Sequence, residues 1–385
     1  MADVASHSSH KPQVTTSTDK RMNLDTPVGS KDPRVEAAIS HWAPRFVING
    51  VPLTDFQEVT ASIECWEDWC RAWSKRAAIH EELGNAAHAE GFNLSAGEHW
   101  TRAAVCYHFG KFLFVNDMAQ LRQAHAKAVE CRNKALPCLR PPGERVAIPY
   151  EGTTLYGNLR KPVGGGKPPV VVMCMGLDSA KEEMDDYENR FLKRGVATLA
   201  FDGPGQGEAE YDLPICPEYE KPVGAVIDYL QTCSDVDAKR VGVWGVSLGG
   251  YYAPRAACFE KRIKACVALS GAFERKPSFE GRPIINVEAF RARTHSRTLE
   301  EAGKIGVRMT LRGHAKNITC PIYIVAGTKD RLTSPDEARK LAAEVSGPCV
   351  LDVIEGGNHV VNNLWYRYRD QTADWMAAQL GVAKR

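Results

Sequence analysis

The sequence predicts an α/β fold in which a mostly parallel sheet is sandwiched by helices, with an all-helical region in front of it. Three observations carry that reading. From the third strand onward, near residue 170, short apolar runs alternate with stretches of helical length and period, the pattern of repeated strand–helix units. The run VVVMCMG at 170–176 is apolar without a break, as a strand covered on both faces should be. Before residue 140 this alternation is absent, and apolar side chains recur three and four positions apart, as on helix faces.

Taken in order, residues 1–32 are rich in Ser, Thr, Lys, His and Pro without periodicity and read as a disordered tail. Residues 33–140 read as a helical domain. Asp32-Pro33 supplies a cap and a first-turn proline. Trp66, Trp69, Cys70, Trp73 and Ala77 share one helical face. Ser95 and Glu98 fit a capping box, followed by the stripe Ala103, Tyr107, Gly110 and Phe114. A further helix is expected over about 118–136, stopping before Pro137. Pro137, Pro141, Pro142 and Gly143 mark a boundary, and residues 141–385 form the α/β domain. Its strands are expected at 144–150, 153–162, 170–176, 196–202, 241–245, 265–270, 321–327 and 350–355. Helices are expected at 181–194, 218–232, 248–260, 335–345 and 364–380, with an insertion over about 272–316.

Composition excludes several classes. With 49 basic and 47 acidic side chains the net charge is +2, which gives no basic surface for nucleic acid. No apolar stretch reaches membrane-span length and no leader pattern is visible, so a cytoplasmic location without membrane contact is expected. The 12 cysteines lack metal-finger spacing and read as reduced, mostly buried thiols. His80, His88, His99, His108 and His125 show no H-E-x-x-H or comparable cluster. No metal and no cofactor is expected.

The chemistry centres on residues 241–249, VGVWGVSLG, where a strand runs into Gly-x-Ser-x-Gly. A serine on such a strand-to-helix turn has an exposed hydroxyl and helical N–H groups aimed beside it. Serine is a weak nucleophile and needs a base. Histidine is the apt one, and a buried carboxylate would hold its tautomer. In parallel α/β enzymes such groups lie at strand C-termini. Asp330 follows the strand PIYIVAG, and His359 follows LDVIEG, which yields the chain order nucleophile, acid, base. Ser247, Asp330 and His359 are therefore the expected triad. Asp352 lies inside the last strand, where it should not reach the top edge. The N–H groups of Leu248 and Leu177 are the expected oxyanion donors. Asp178 either orients the Leu177 loop or binds substrate. The Gly203–Gly207 loop lacks both P-loop and dinucleotide-fingerprint spacing and reads as turn scaffolding.

These features together resemble the α/β-hydrolase superfamily over about residues 144–380. The helical region with GLDSAKEE (176–183), DGPGQGEA (202–209), GVSLGGYYAPRAA (245–257) and GNH (357–359) resembles, more narrowly, the dihydroxypseudooxynicotine hydrolase group, which includes fungal polyketide-shortening hydrolases. The resemblance implies the α/β-hydrolase fold with the N-terminal helices as a cap over the site, a homodimer, and the same triad and oxyanion residues. It also implies an acidic substrate-handling residue, for which Glu274 is the candidate.

The expected activity is hydrolysis of a carbon–carbon bond beside a ketone in an aromatic or polyketide-derived small molecule of secondary metabolism. Either Ser247 attacks the carbonyl, or Ser247 and His359 activate water; the elbow favours covalent attack. Carboxylic ester or lactone hydrolysis is the alternative. Acyl transfer or cyclisation on a polyketide intermediate is a third reading, and a binding module without catalysis a fourth.

Overall fold

The computed structural model describes residues 31–383, and all but the last two residues of the tail expected at 1–32 lie outside them. Five helices precede the first strand: α1 (Pro33–Ile48), α2 (Leu53–Ser62), α3 (Trp69–Ala89), α4 (Asn93–Lys111) and α5 (Met118–Ala135). Asp32 caps α1 as its sequence predicts, its carboxylate accepting the Arg34 N–H at 2.8 Å. The capping box does not form. Gly91, at φ +84°, reverses the chain directly after α3, so α4 begins at Asn93 and leaves Ser95 inside its first turn. The aromatic stripe is core: Trp66, Trp69 and Trp73 are fully buried. Phe46 of α1 stacks on Phe109 of α4 with centroids 3.8 Å apart, which ties the first helix to the bundle.

The sheet has eight strands: β1 (Gly143–Tyr150), β2 (Thr153–Arg160), β3 (Val170–Cys174), β4 (Ala197–Asp202), β5 (Val241–Val246), β6 (Ile263–Leu269), β7 (Ile322–Gly327) and β8 (Cys349–Ile354). Glu151 and Gly152 both have positive φ, the twist-matched turn of a two-residue hairpin. Their spatial order is β1-β2-β4-β3-β5-β6-β7-β8. β1 and β2 pair antiparallel, as do β2 and β4; all later neighbours are parallel. β3 is thus the switch point: the chain moves to β4 on one side and returns to β5 on the other. A crevice opens at the C-terminal ends of β3 and β5 for that reason.

Helices cover both faces: α6 (Asp185–Leu192), α7 (Glu220–Thr232), α8 (Gly249–Phe259), α11 (Pro335–Glu344) and α12 (Arg369–Gln379). The helix expected at 181–194 is split, because a 3-10 turn at Lys181–Glu183 precedes α6. The last helix likewise starts late, at Arg369, after an irregular 3-10 stretch that begins at His359. Between β6 and β7 the insertion carries α9 (Ile284–Arg293) and α10 (Leu299–Arg308). No helix of the described residues is long and apolar enough to cross a membrane. None of the 12 cysteines forms a disulfide.

Candidate active site

β5 ends at Val246 and α8 starts at Gly249, so two residues make the turn. Ser247 takes it at φ +57°, a left-handed conformation that costs a non-glycine residue roughly 1–2 kcal/mol. Its N–H is fixed to the Leu269 carbonyl at 2.8 Å. A Cβ on Gly245 would drive into the Gly249 carbonyl, and one on Gly249 into that of Cys174. Only glycine at both positions lets the turn be this tight.

The side chains expected to act with Ser247 converge on it. His359 Nε2 and Ser247 Oγ are 2.8 Å apart. His359 Nδ1 lies 2.8 and 3.0 Å from the two Asp330 carboxylate oxygens. Asp330 also accepts the Leu332 and Thr333 N–H groups at 2.8 and 2.9 Å. Burial pushes its carboxyl up, yet the His359 imidazole and these amides hold it below the usual carboxylate value. Strain clusters here: Val360 and Val361 follow His359 at φ +60° and +54°, and Ser270 sits at +49°. The Val360 N–H donates to Ser270 Oγ at 3.0 Å. β-Branched residues rarely adopt such angles, and strain of this kind gathers at functional sites. Asp352 is half-buried on β8 beside Tyr323 and takes no part.

Leu177 and Leu248 both line the same cleft. Neither N–H donates to another group among the described residues, which leaves two free donors beside the serine. The Leu177 loop is braced from below. Gln206 donates to the Met175 and Gly176 carbonyls at 2.6 and 2.7 Å and accepts from Tyr219 at 2.6 Å. The Gly203–Gly207 loop is therefore the scaffold its sequence suggests.

The cleft and the solvent at its mouth together span about 950 Å³ between the atoms. Trp42 and Arg45 of α1, with Asn49 just beyond its end, form one part of its wall; Arg275, Phe279 and Arg282 of the insertion form another. Asp178 lines it too, but its carboxylate is engaged. Arg45 Nη1 donates to both Asp178 oxygens at 3.0 Å, while Nε and Nη2 donate to Glu183 at 2.7 Å each. Burial pushes Glu183 up, and Arg45 and His108 overcome it and hold the carboxyl well below its ordinary range. Asp178 thus ties the loop between β3 and α6 to the guanidinium of α1.

Glu274 must be corrected. It is not among the residues lining the cleft. Its carboxylate faces outward and pairs with Arg312 at 2.6 Å and with Lys340 at 3.5 Å. The backbone bridge between Glu274 and Thr310 turns this side chain away from the sheet edge. What the sequence reading missed comes from α1 and the insertion: Trp42, Arg45, His41 and the two arginines. His41 lies over His359, with ring centroids 6.4 Å apart and planes 24° from parallel. Burial, then the neighbouring His359, push its pKa down to about 4. No periodic or motif signal marks any of them; only the packing of α1 and the insertion around the cleft brings them there.

Among the described residues two clusters have metal-ligand chemistry, Asp55-His80-Cys106 and His125-Glu182-Asp202. Both already hold a cation of the chain. Arg76 sits 2.6 Å from Asp55. The Lys181 ammonium sits 2.6 Å from Asp202 and 2.7 Å from Glu182. Neither cluster adjoins Ser247.

Residues 60–276 match the family described as Esterase FrsA-like, and residues 184–375 match the Alpha/beta hydrolase family. The 2,6-dihydropseudooxynicotine hydrolase of Paenarthrobacter nicotinovorans is 33% identical over 91% of this chain and 94% of its own. A crystal structure of 2,6-dihydroxy-pseudo-oxynicotine hydrolase superposes with a TM-score of 0.82, covering 88% of this chain and 96% of that one. The 20-hydroxy-prefusarin hydrolase FUS2 of Gibberella moniliformis is 34% identical, but over 54% of this chain and 53% of its own. The chain spans about half the length of that relative. Because one match runs through more than half of the chain and one relative aligns along nearly all of it, the chain belongs to the FrsA-like family of α/β hydrolases.

Proposed function

We propose that this protein hydrolyses a carbon–carbon bond adjacent to a ketone in an aromatic or polyketide-derived small molecule. Ser247 is the nucleophile, His359 the base and acid, and Asp330 the group that orients the imidazole. The observation that carries the reading is the continuous line from Asp330 through His359 to Ser247 Oγ, every link 2.8–3.0 Å, in a cleft walled by α1. A relative named as a hydrolase of an oxynicotine, aligned over 94% of its length, and fungal hydrolases such as 20-hydroxy-prefusarin hydrolase support the bond type and substrate class.

The steps follow from the geometry. Ser247 Oγ adds to the ketone carbon as its proton passes to His359 Nε2. The oxyanion takes hydrogen bonds from the Leu177 and Leu248 N–H groups, a contribution of about 3–4 kcal/mol per donor in comparable sites. The carbon–carbon bond then breaks. Its electron pair leaves as an enolate or aryl carbanion, which takes the proton from His359. Water, deprotonated by His359, next attacks the acyl-serine, and Ser247 recovers its proton. The balance is substrate plus water to a carboxylic acid plus a ketone or arene. Only a stabilised carbanion can leave, so the substrate has a second carbonyl β to the first or a hydroxylated ring.

Incubation with β-diketones followed by mass analysis tests this. An acid together with a ketone is expected, and the S247A protein should give neither. Full turnover by S247A would sink the covalent route. A second reading, ester or lactone hydrolysis, is favoured by the family's description as esterase-like. It predicts an acid together with an alcohol and no cleavage of diketones.

A further inference from the structure

One wall of the cleft has no role in the chemistry above. Arg275 and Arg282, both half-buried, line it on either side of Phe279. Elsewhere this chain pairs its buried arginines with carboxylates. Arg45 holds Asp178 and Glu183, Arg132 and Arg160 hold Asp185 and Glu188, Arg293 holds Glu210, and Arg369 holds Asp186. Arg275 and Arg282 make no ion pair among the described residues. The Arg275 guanidinium carbon lies 4.3 Å from the centroid of the Phe290 ring, which orients it but does not neutralise it.

We propose that Arg275 and Arg282 form an anion subsite, and that the substrate carries a carboxylate at a position other than the carbonyl attacked by Ser247. The inference rests on the reading of Ser247 as nucleophile, and it names the substrate class that reading leaves open. Two planar guanidiniums suit a carboxylate, which each can bind through paired N–H groups. A half-buried cation without a partner is costly, and the cost is offset when an anion arrives. Electrostatics agree. Burial, then Arg282, depress the Arg275 pKa to about 9, with no carboxylate acting the other way. Burial also lowers that of Arg282, and Asp330 alone opposes it. A cationic amine would fare badly here. The lining carboxylates, Asp178 and Glu183, are both engaged by Arg45, and two bare guanidiniums face it.

The test is calorimetric titration of the full-length protein with 4-phenylbutanoate and with its amide, probes of equal size that differ in charge. The carboxylate should bind about 10-fold tighter or better, as hydrogen bonds to charged groups allow. The R275M/R282M protein should lose that preference, and R275K should keep part of it. Equal affinity for the two probes, binding of neither, or a preference that survives R275M/R282M overturns the subsite. If the double variant does not fold, R282M alone is titrated and must reduce the preference. Fluorophosphonate labelling of Ser247 on the same samples separates the two claims. Absent labelling strikes the nucleophile, whereas normal labelling with equal probe affinities strikes only the subsite.

Discussion

The floor and the walls of the cleft are built on different principles. The floor is backbone. Ser247, Asp330 and His359 each follow the C-terminus of a parallel strand, and the free Leu177 and Leu248 N–H groups lie in the loops after β3 and β5. The walls are long side chains from α1 and the insertion, held by ion pairs or not held at all. On the proposed function, the floor fixes what reaction is run, and the walls decide which molecule receives it. A change in the floor should abolish chemistry and spare the fold. A change in the walls should do the reverse, or alter selectivity alone.

The largest effect belongs to the floor. S247A should lower kcat by about 10⁴–10⁶-fold, read by product formation, with a melting temperature close to that of the parent. D330N should cost about 10⁴-fold, because the imidazole loses its tautomer. A residual rate within 10-fold of wild type in either variant would mean that the three side chains do not work as a unit.

Next is Arg45. Its guanidinium is buried between Asp178 and Glu183, and His108 shares Glu183 at 3.1 Å. R45M leaves two carboxylates buried without their cation, a loss of about 3–5 kcal/mol, measured as a fall in the denaturant midpoint. Below that midpoint Ser247 should still react with a fluorophosphonate. Unchanged stability would show that the clamp contributes nothing net, as some buried pairs do.

A smaller effect is expected from His41. Its pKa is pushed from 6.5 to about 4, by burial first. A folded-state value below the unfolded one means that the unfolded chain binds the proton more readily. The stability contributed by neutral His41 is thus complete above pH 6.5 and is lost progressively as the pH falls toward 4. H41Q should flatten that part of the stability curve relative to wild type, followed by thermal unfolding across pH 4–7. Parallel curves for the two proteins would refute the burial of His41 against His359.

The same contrast explains what could be read from the chain. The floor was legible because each of its residues is tied to local grammar. A serine between glycines ends one apolar run, and Asp330 and His359 come shortly after two others. The fold was legible for the same reason, since alternating strands and helices leave few topologies. The walls were not. Arg45 meets Asp178 across 133 positions and Glu183 across 138, and nothing in the spacing of α1 announces either contact. The capping box misled because Ser95 and Glu98 fit a pattern that the Gly91 turn had already overridden by starting α4 three residues sooner. Local pattern fixes local structure, and long-range pairing of polar side chains escapes it.

Glu274 makes the smallest and sharpest test of that limit. The family resemblance implied an acidic pocket residue, and Glu274 was the candidate, five residues beyond the last residue of β6, Leu269. Yet its neighbours in the chain divide by side. Ala272 and Arg275 line the cleft, while Glu274 turns to the surface and pairs with Arg312, whose own side chain is 63% exposed. An ion pair this exposed is worth about 0.2–1 kcal/mol. E274Q should therefore leave kcat and KM within about twofold of wild type, and stability within about 1 kcal/mol. R275M, one residue along, should change selectivity between charged and neutral substrates. If E274Q instead raised KM several-fold while R275M did nothing, the acidic residue would be the one facing the substrate, and the assignment of a positively charged wall would have to be reversed.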